Sequence, residues 1–107
     1  MEKKTKAETF MGFILRSKKY RVGTNSVASL KKANLIIVCH TAAENTKKEC
    51  ASIAKKFHCP LLQTAKKPLE EMVLRANAKV MAVTDKALAT ALTENIGEDF
   101  ISVNQEN

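Results

Sequence analysis

The chain has 107 residues, enough to bury one core and too few for two. Its 45% apolar content, with three glycines and two prolines, excludes low-complexity and collagen-like chains. A net charge of +7 points either to a polyanionic partner, nucleic acid being the commonest in a cytosol, or to a well-solvated surface.

The charge is uneven. Four acids (Glu94, Glu98, Asp99 and Glu106) follow residue 93, where there is no Lys or Arg, so the rest of the chain is more basic than the whole. The longest apolar run, Leu35 to Cys39, is far below the roughly 20 residues of a membrane helix. Met1-Glu2-Lys3-Lys4 leads into no secretory apolar stretch, so no signal peptide is expected. Three cysteines, an odd number, fit a reducing cytoplasm better than a disulfide framework.

In chain order, residues 8–17 predict a first helix, with Phe10, Phe13 and Ile14 forming one apolar stripe. Tyr20-Arg21-Val22 reads as a short strand ending at Gly23. Thr24 or Asn25 would then cap a second helix running to about Lys32, with Val27 and Leu30 inward. Leu35 to His40 is apolar without alternation, which predicts a strand covered on both faces. A third helix follows the turn Thr41 to Asn45, with Cys50, Ile53, Ala54 and Phe57 buried. Pro60 to Thr64 predicts a strand, and 68–75 a helix opened by Pro68 with Leu69, Met72 and Val73 inward. Lys79 to Thr84 predicts the last strand, and Asp85 to about Glu94 the last helix, with Leu88, Ala91 and Leu92 on one side. The order predicts one α/β domain over 1–107: a three-layer α/β/α sandwich around a small, mostly parallel or mixed four-stranded sheet. Its core spans about 8–93, followed by an acidic tail over 94–107. Right-handed crossover connections make the strands from 35 and from 60 parallel if they are neighbours.

The candidate chemistry centres on Gly23-Thr24-Asn25, where a strand meets a helix. Free backbone N–H groups point out of such a junction, glycine permits close approach, and the Asn25 amide can both donate to and accept from a base edge. Lys19 and Arg21 before it, with Lys31 and Lys32 after it, suggest a phosphate-binding rim. The same residues also suit a plain helix cap after a turn glycine.

Ser17-Lys18-Lys19-Tyr20-Arg21-Val22-Gly23-Thr24-Asn25 resembles the segment that opens the RNA-reading helix in the kink-turn RNA-binding ribosomal-protein family, the large-subunit "seven-Ae" and "thirty-e" group. Asn34 to Val38 with Ala43 to Lys48 is similar to a strand, loop and helix start in the family's bacterial branch. Cys59-Pro60-Leu61 and Ala82-Val83-Thr84-Asp85 are similar to two of its strand segments. The resemblance covers roughly residues 8–93. It implies a non-enzymatic, cytoplasmic binder of a kink-turn or similar stem in ribosomal or regulatory RNA, associated with the ribosome or with a structured regulatory RNA, without cofactor or small-molecule substrate; a monomer is expected. Carried over by position, Gly23 and Asn25 would approach the sheared G·A pairs, and Lys19 and Arg21 the phosphates. The stretch Ala76, Asn77, Ala78 and Lys79 would lie against the bulged nucleotides. The chain departs from the family pattern at Ser26, where a Glu is usual, at Ser29, where a Lys is usual, and at Glu70 and Leu74, where glycines are usual. Those departures motivate an alternative: the same fold with a weakened RNA reader, acting as a protein-interaction module.

Cys39-His40 and His58-Cys59 invite a zinc reading. Their spacing fits no close-pair zinc pattern, and parallel strands would hold His40 and Cys59 at opposite ends of the sheet. Glu70 and Glu71 are adjacent, so on a helix they point apart and make no catalytic pair. No metal site and no enzyme activity are expected.

Overall fold

The computed structural model describes residues 5–103. Met1 to Lys4 and the last four residues of the expected acidic tail lie outside them.

Helix α1 (Lys6–Ser17) starts where Thr5 and Glu8 form a reciprocal capping box, which explains its start two residues before the expected one. Its buried row is Ala7, Met11 and Ile14, at i, i+4 and i+7. The expected stripe through Phe13 is displaced: Phe13 is 43% exposed. Its ring meets Phe10 edge-on at 6.0 Å and lies under the Arg16 guanidinium at 5.0 Å. Strand β1 is Tyr20–Val22 and helix α2 is Thr24–Ala28. Gly23 itself occupies the N-cap, with no side-chain cap from Thr24 or Asn25. α2 ends four residues before Lys32. The Ser29 hydroxyl donates back to the Ser26 carbonyl at 3.0 Å, a local bond that competes with helix continuation.

Strand β2 (Leu35–Val38) is buried throughout, as its pattern predicts. Helix α3 (Glu44–Phe57) buries Cys50, Ile53 and Ala54 and ends at His58 in the left-handed region. Strand β3 (Leu61–Thr64) leads to the short helix α4 (Leu69–Val73), which stops at a left-handed Leu74 instead of reaching 75. Strand β4 (Val80–Val83) and helix α5 (Lys86–Glu94) follow, the helix capped by Asp85, which accepts the Leu88 N–H at 2.9 Å.

The sheet has five strands, not four. Phe100–Ser102 forms β5, antiparallel to β3, with Thr64 opposite Phe100 and Leu62 opposite Ser102. Gly97 at φ 54° turns the chain back after α5, and the buried Phe100 anchors the strand. Residues 94–103 are therefore part of the fold, not a tail: Glu94 ends α5, and Glu98 pairs with Lys66 at 2.7 Å.

Strand order is β1-β4-β2-β3-β5. β2 and β3 are parallel, as expected, and the other three pairings are antiparallel. Alternate residues of β2 enter different apolar clusters. Leu35 and Ile37 join Met11, Ile14, Met81 and Leu92, whereas Ile36 and Val38 join Val27, Ile53, Leu61 and Val80. The result is a mixed α/β fold with helices contributing to both clusters.

Candidate nucleic-acid interface

One end of the sheet gathers the last residues of β1, β2 and β3 with the first of β4. The Gly23 N–H donates to the Val80 carbonyl at 2.9 Å, and the Cys39 N–H to the Lys79 carbonyl at 2.8 Å. The corner Gly23–Ser26 and the loop Ala76–Lys79, far apart in sequence, are thereby neighbours. Gly23 has φ 103°, a conformation that favours glycine, and a Cβ built there would meet nothing within 4 Å. The corner is open. Val27 anchors α2 in the core, Thr24 is half-buried, and Asn25 and Ser26 are exposed.

Along the free edge of β1 runs a concavity of about 380 Å³ lined by Lys18, Arg21, Ser26 and Arg75, with Tyr20 and Val22 as its apolar wall. Arg21 holds its guanidinium in place by donating to the Tyr20 carbonyl at 2.9 Å. Among the described residues, Lys18, Arg21 and Arg75 form no ion pair, so their charges are uncompensated at short range. Such a surface attracts phosphates, and arginine's planar fork suits their oxygens.

Lys18 and Arg75 escaped the sequence reading. Lys18 lay inside the motif, and Arg75 closed the expected helix over 68–75. Its place directly before the Ala76–Lys79 loop was the usable signal.

The expected rim is divided by the sheet. The Lys19 carbonyl accepts the Thr84 N–H at 2.9 Å, and its ammonium lies 3.5 Å from Asp85, at the far end of β1. Lys31 and Lys32 are exposed and precede Asn34, whose N–H donates to the Val83 carbonyl, again at the far end. None of these three lysines rings the Gly23 corner. The reason is that α2 ends early and the chain runs back along β4 before β2 begins.

Lys79 does sit at the correct end, but it is engaged. Its ammonium donates to Glu70 Oε1 at 2.9 Å and to Thr41 Oγ1 at 2.8 Å, tying the loop to α4 and to the β2–α3 turn. Glu70 is thus neutralised. Ala78 is buried, while Ala76 and Asn77 are exposed, Asn77 with φ 61°.

Beneath this end, the His40 N–H donates to Thr64 Oγ1 at 2.9 Å, and the His40 ring nitrogen Nδ1 lies 2.8 Å from the same oxygen. The Cys39 sulfur receives the Leu69 N–H at 3.3 Å and lies 3.0 Å from the Thr41 hydroxyl. Burial pushes the Cys39 thiol up, but bonds from Thr41, the Leu69 N–H and Thr64 outweigh it and move it below the usual thiol range. Burial pushes Cys50 and Cys59 up to about 11. Cys39 has no solvent-accessible surface, which suits a structural role for this polar network. Among the described residues, no group of three His, Cys, Asp or Glu side chains comes together to hold a metal, and no helix is long and apolar enough to cross a membrane.

The fold is similar to a solved structure. It matches that of a protein with unknown function from Bacillus halodurans, with a TM-score of 0.73 and 19% identity, over 89% of this chain and 100% of that one. At that identity the likeness speaks to the fold alone. No family model matches the chain, and no curated protein matches it.

Proposed function

We propose that this chain is a non-enzymatic, cytoplasmic binder of structured RNA, a three-layer α/β/α domain that grips a kink-turn or similarly bent stem at the Gly23 corner. The observation that carries the reading is the unobstructed corner beside three uncompensated cations, Lys18, Arg21 and Arg75. A sharply bent stem crowds its phosphates, so clustered guanidinium groups gain more from it than from a straight duplex. Asn25 is exposed beside Gly23, where a base edge can reach its amide. The resemblance to the kink-turn-binding ribosomal proteins points to the same surface, and to ribosomal or regulatory RNA as the partner. Relative to that family, Ser26 in place of a carboxylate gives up about 1–3 kcal/mol of guanine discrimination, by analogy with bidentate base contacts.

The test is a titration of a kink-turn stem against an unkinked duplex of equal length at physiological salt. The kink-turn binds more tightly, and Asn25→Ala removes most of the preference. Equal affinity for the two RNAs overturns the proposal.

The second reading, a protein-interaction module with a lapsed RNA reader, is favoured by the consumption of Lys79 by Glu70. A large gain in kink-turn affinity on Ser26→Glu, starting from no wild-type preference, would support it.

A further inference from the structure

The loop that supplies Arg75 has a second side. Between α1 and α4 lies a groove of about 340 Å³ with an apolar floor of Met11, Gly12, Leu15, Met72, Leu74 and Phe100. Its rim holds Glu8, Glu71 and Asp99 against two cations, Lys67, which lies 3.1 Å from Glu8, and Arg16, whose guanidinium lies beside Gly12. In a chain of net charge +7, this groove therefore carries a local surplus of negative charge.

Two features of the groove have no explanation inside the chain. Leu74 is 86% exposed and sits at φ 55°, in a conformation where leucine is strained. Neither burial nor backbone geometry recommends leucine there. Gly12 interrupts the middle of α1, where glycine weakens a helix. A Cβ on Gly12 would meet only the Arg16 guanidinium, at the ordinary contact distances of 3.6 and 3.9 Å, so no packing within the chain requires a glycine. A strained, solvent-facing leucine beside an unneeded glycine suits a groove whose floor and wall are completed from outside. The two methionines add side chains that adapt to an incoming apolar ridge.

We infer that this groove docks an amphipathic helix from a basic partner protein, its apolar residues lying over Gly12 and against Leu74, its Lys or Arg residues meeting Glu71 and Asp99. Charge complementarity selects the occupant. The acidic rim repels nucleic acid and anionic lipid surfaces, while apolar residues flanked by cations match floor and rim together. The inference stands independently of the RNA reading. Leu74 and Arg75 are consecutive, so one short loop would serve both surfaces.

The experiment titrates the full chain, followed by amide NMR, with a synthetic helix of about 14 residues. It carries Leu at i, i+3, i+4 and i+7 with Lys on the flanking positions. The control peptide has Glu in place of each Lys. The Lys peptide shifts the amides of Gly12, Glu71 and Leu74, and the Glu peptide binds at least about tenfold more weakly. Gly12→Leu fills the groove and abolishes peptide binding, while Gly12→Ala, the smallest side chain at that site, keeps most of it. A circular-dichroism melt verifies that both variants fold, and both retain the RNA affinity of the parent chain. Equal binding of the two peptides, shifts that map elsewhere, or Gly12→Leu binding like the parent overturns the inference. So does sedimentation in which the parent is a dimer and Gly12→Leu a monomer, because the occupant would then be a second copy.

Discussion

Leu74 offers a sharp quantitative check on how this fold is held. It closes α4, donating its N–H to the Glu70 carbonyl, and it does so at φ 55° and ψ 43°. An L side chain in that region costs about 1–2 kcal/mol relative to a glycine. The leucine recovers little of that through burial, because 86% of it is exposed. Leu74→Gly preserves the capping bond, which is made by backbone atoms, and removes the steric cost. Against this stands the greater freedom of glycine in the unfolded chain, about 0.5–1 kcal/mol. The net expectation is a stabilisation of about 0.5–1 kcal/mol, seen as a rise in the urea midpoint at constant m-value. In a domain of this size it corresponds to a Tm increase of a few degrees, since 1 kcal/mol shifts Tm by about 4–8 °C in slightly smaller domains. The same variant lowers affinity for the cationic helical peptide, because it removes one wall of the α1–α4 groove. A fall in the urea midpoint would refute the reasoning, since it would mean that Leu74 contributes packing that its exposure denies.

Three further outcomes follow from the same geometry. Arg75→Ala and Arg21→Ala each weaken RNA binding and flatten the dependence of log affinity on log salt by about 0.7–0.9, whereas Lys31→Ala and Lys32→Ala, at the far end of the sheet, do neither. Asp85 is held below the usual carboxylate range by the Leu88 N–H and by Lys19. Its contribution is present above the unfolded-state pKa and lost as pH falls through the lower folded-state value, so Asp85→Asn reduces the acid sensitivity seen in denaturation below the ordinary aspartate range. Gly12→Ala raises stability by about 0.5–1 kcal/mol in a urea titration, because the added methyl meets only ordinary contacts and helix propensity improves.

How far the sequence revealed this molecule depended on the length and environment of each segment. β2 was legible because burial on both faces removes alternation, leaving an uninterrupted apolar run. α3 was legible because several turns repeat one buried row. α5 was placed by its cap Asp85 and buries Ala89 with Leu92, leaving the expected Leu88 and Ala91 only half-buried. β5 was not: three residues cannot display a period of two, and only Phe100 among them is buried. The ends of α2 and α4 were misplaced because they are decided locally, by a Ser29 hydroxyl bond and by a left-handed leucine, against the helical pattern of their sequences. The site divides along the same line. Gly23 to Ser26 are chain neighbours and could be read together. That Arg75 joins them and Lys31 leaves them depends on β4 lying between β1 and β2, an order that no local pattern encodes.

The division of labour among the cations sharpens the functional argument. All four ion pairs among the described residues are made by lysines: Lys19 with Asp85, Lys66 with Glu98, Lys67 with Glu8 and Lys79 with Glu70. The arginines are spent differently. Arg16 lies over Phe13, and Arg21 and Arg75 face the open concavity without a carboxylate. If those two were there only for solubility, lysine would serve equally well, and Arg21→Lys with Arg75→Lys would leave RNA binding unchanged. If they grip phosphate through two-pronged hydrogen bonds, the double exchange keeps every charge yet loses the fork. The expectation is then an affinity several-fold lower with the salt dependence nearly intact, because the number of neutralised phosphates stays the same while each contact weakens. A fluorescence titration across salt concentrations separates the two cases. An unchanged affinity would show that no two-pronged contact is made at these positions and that charge alone, if anything, acts there.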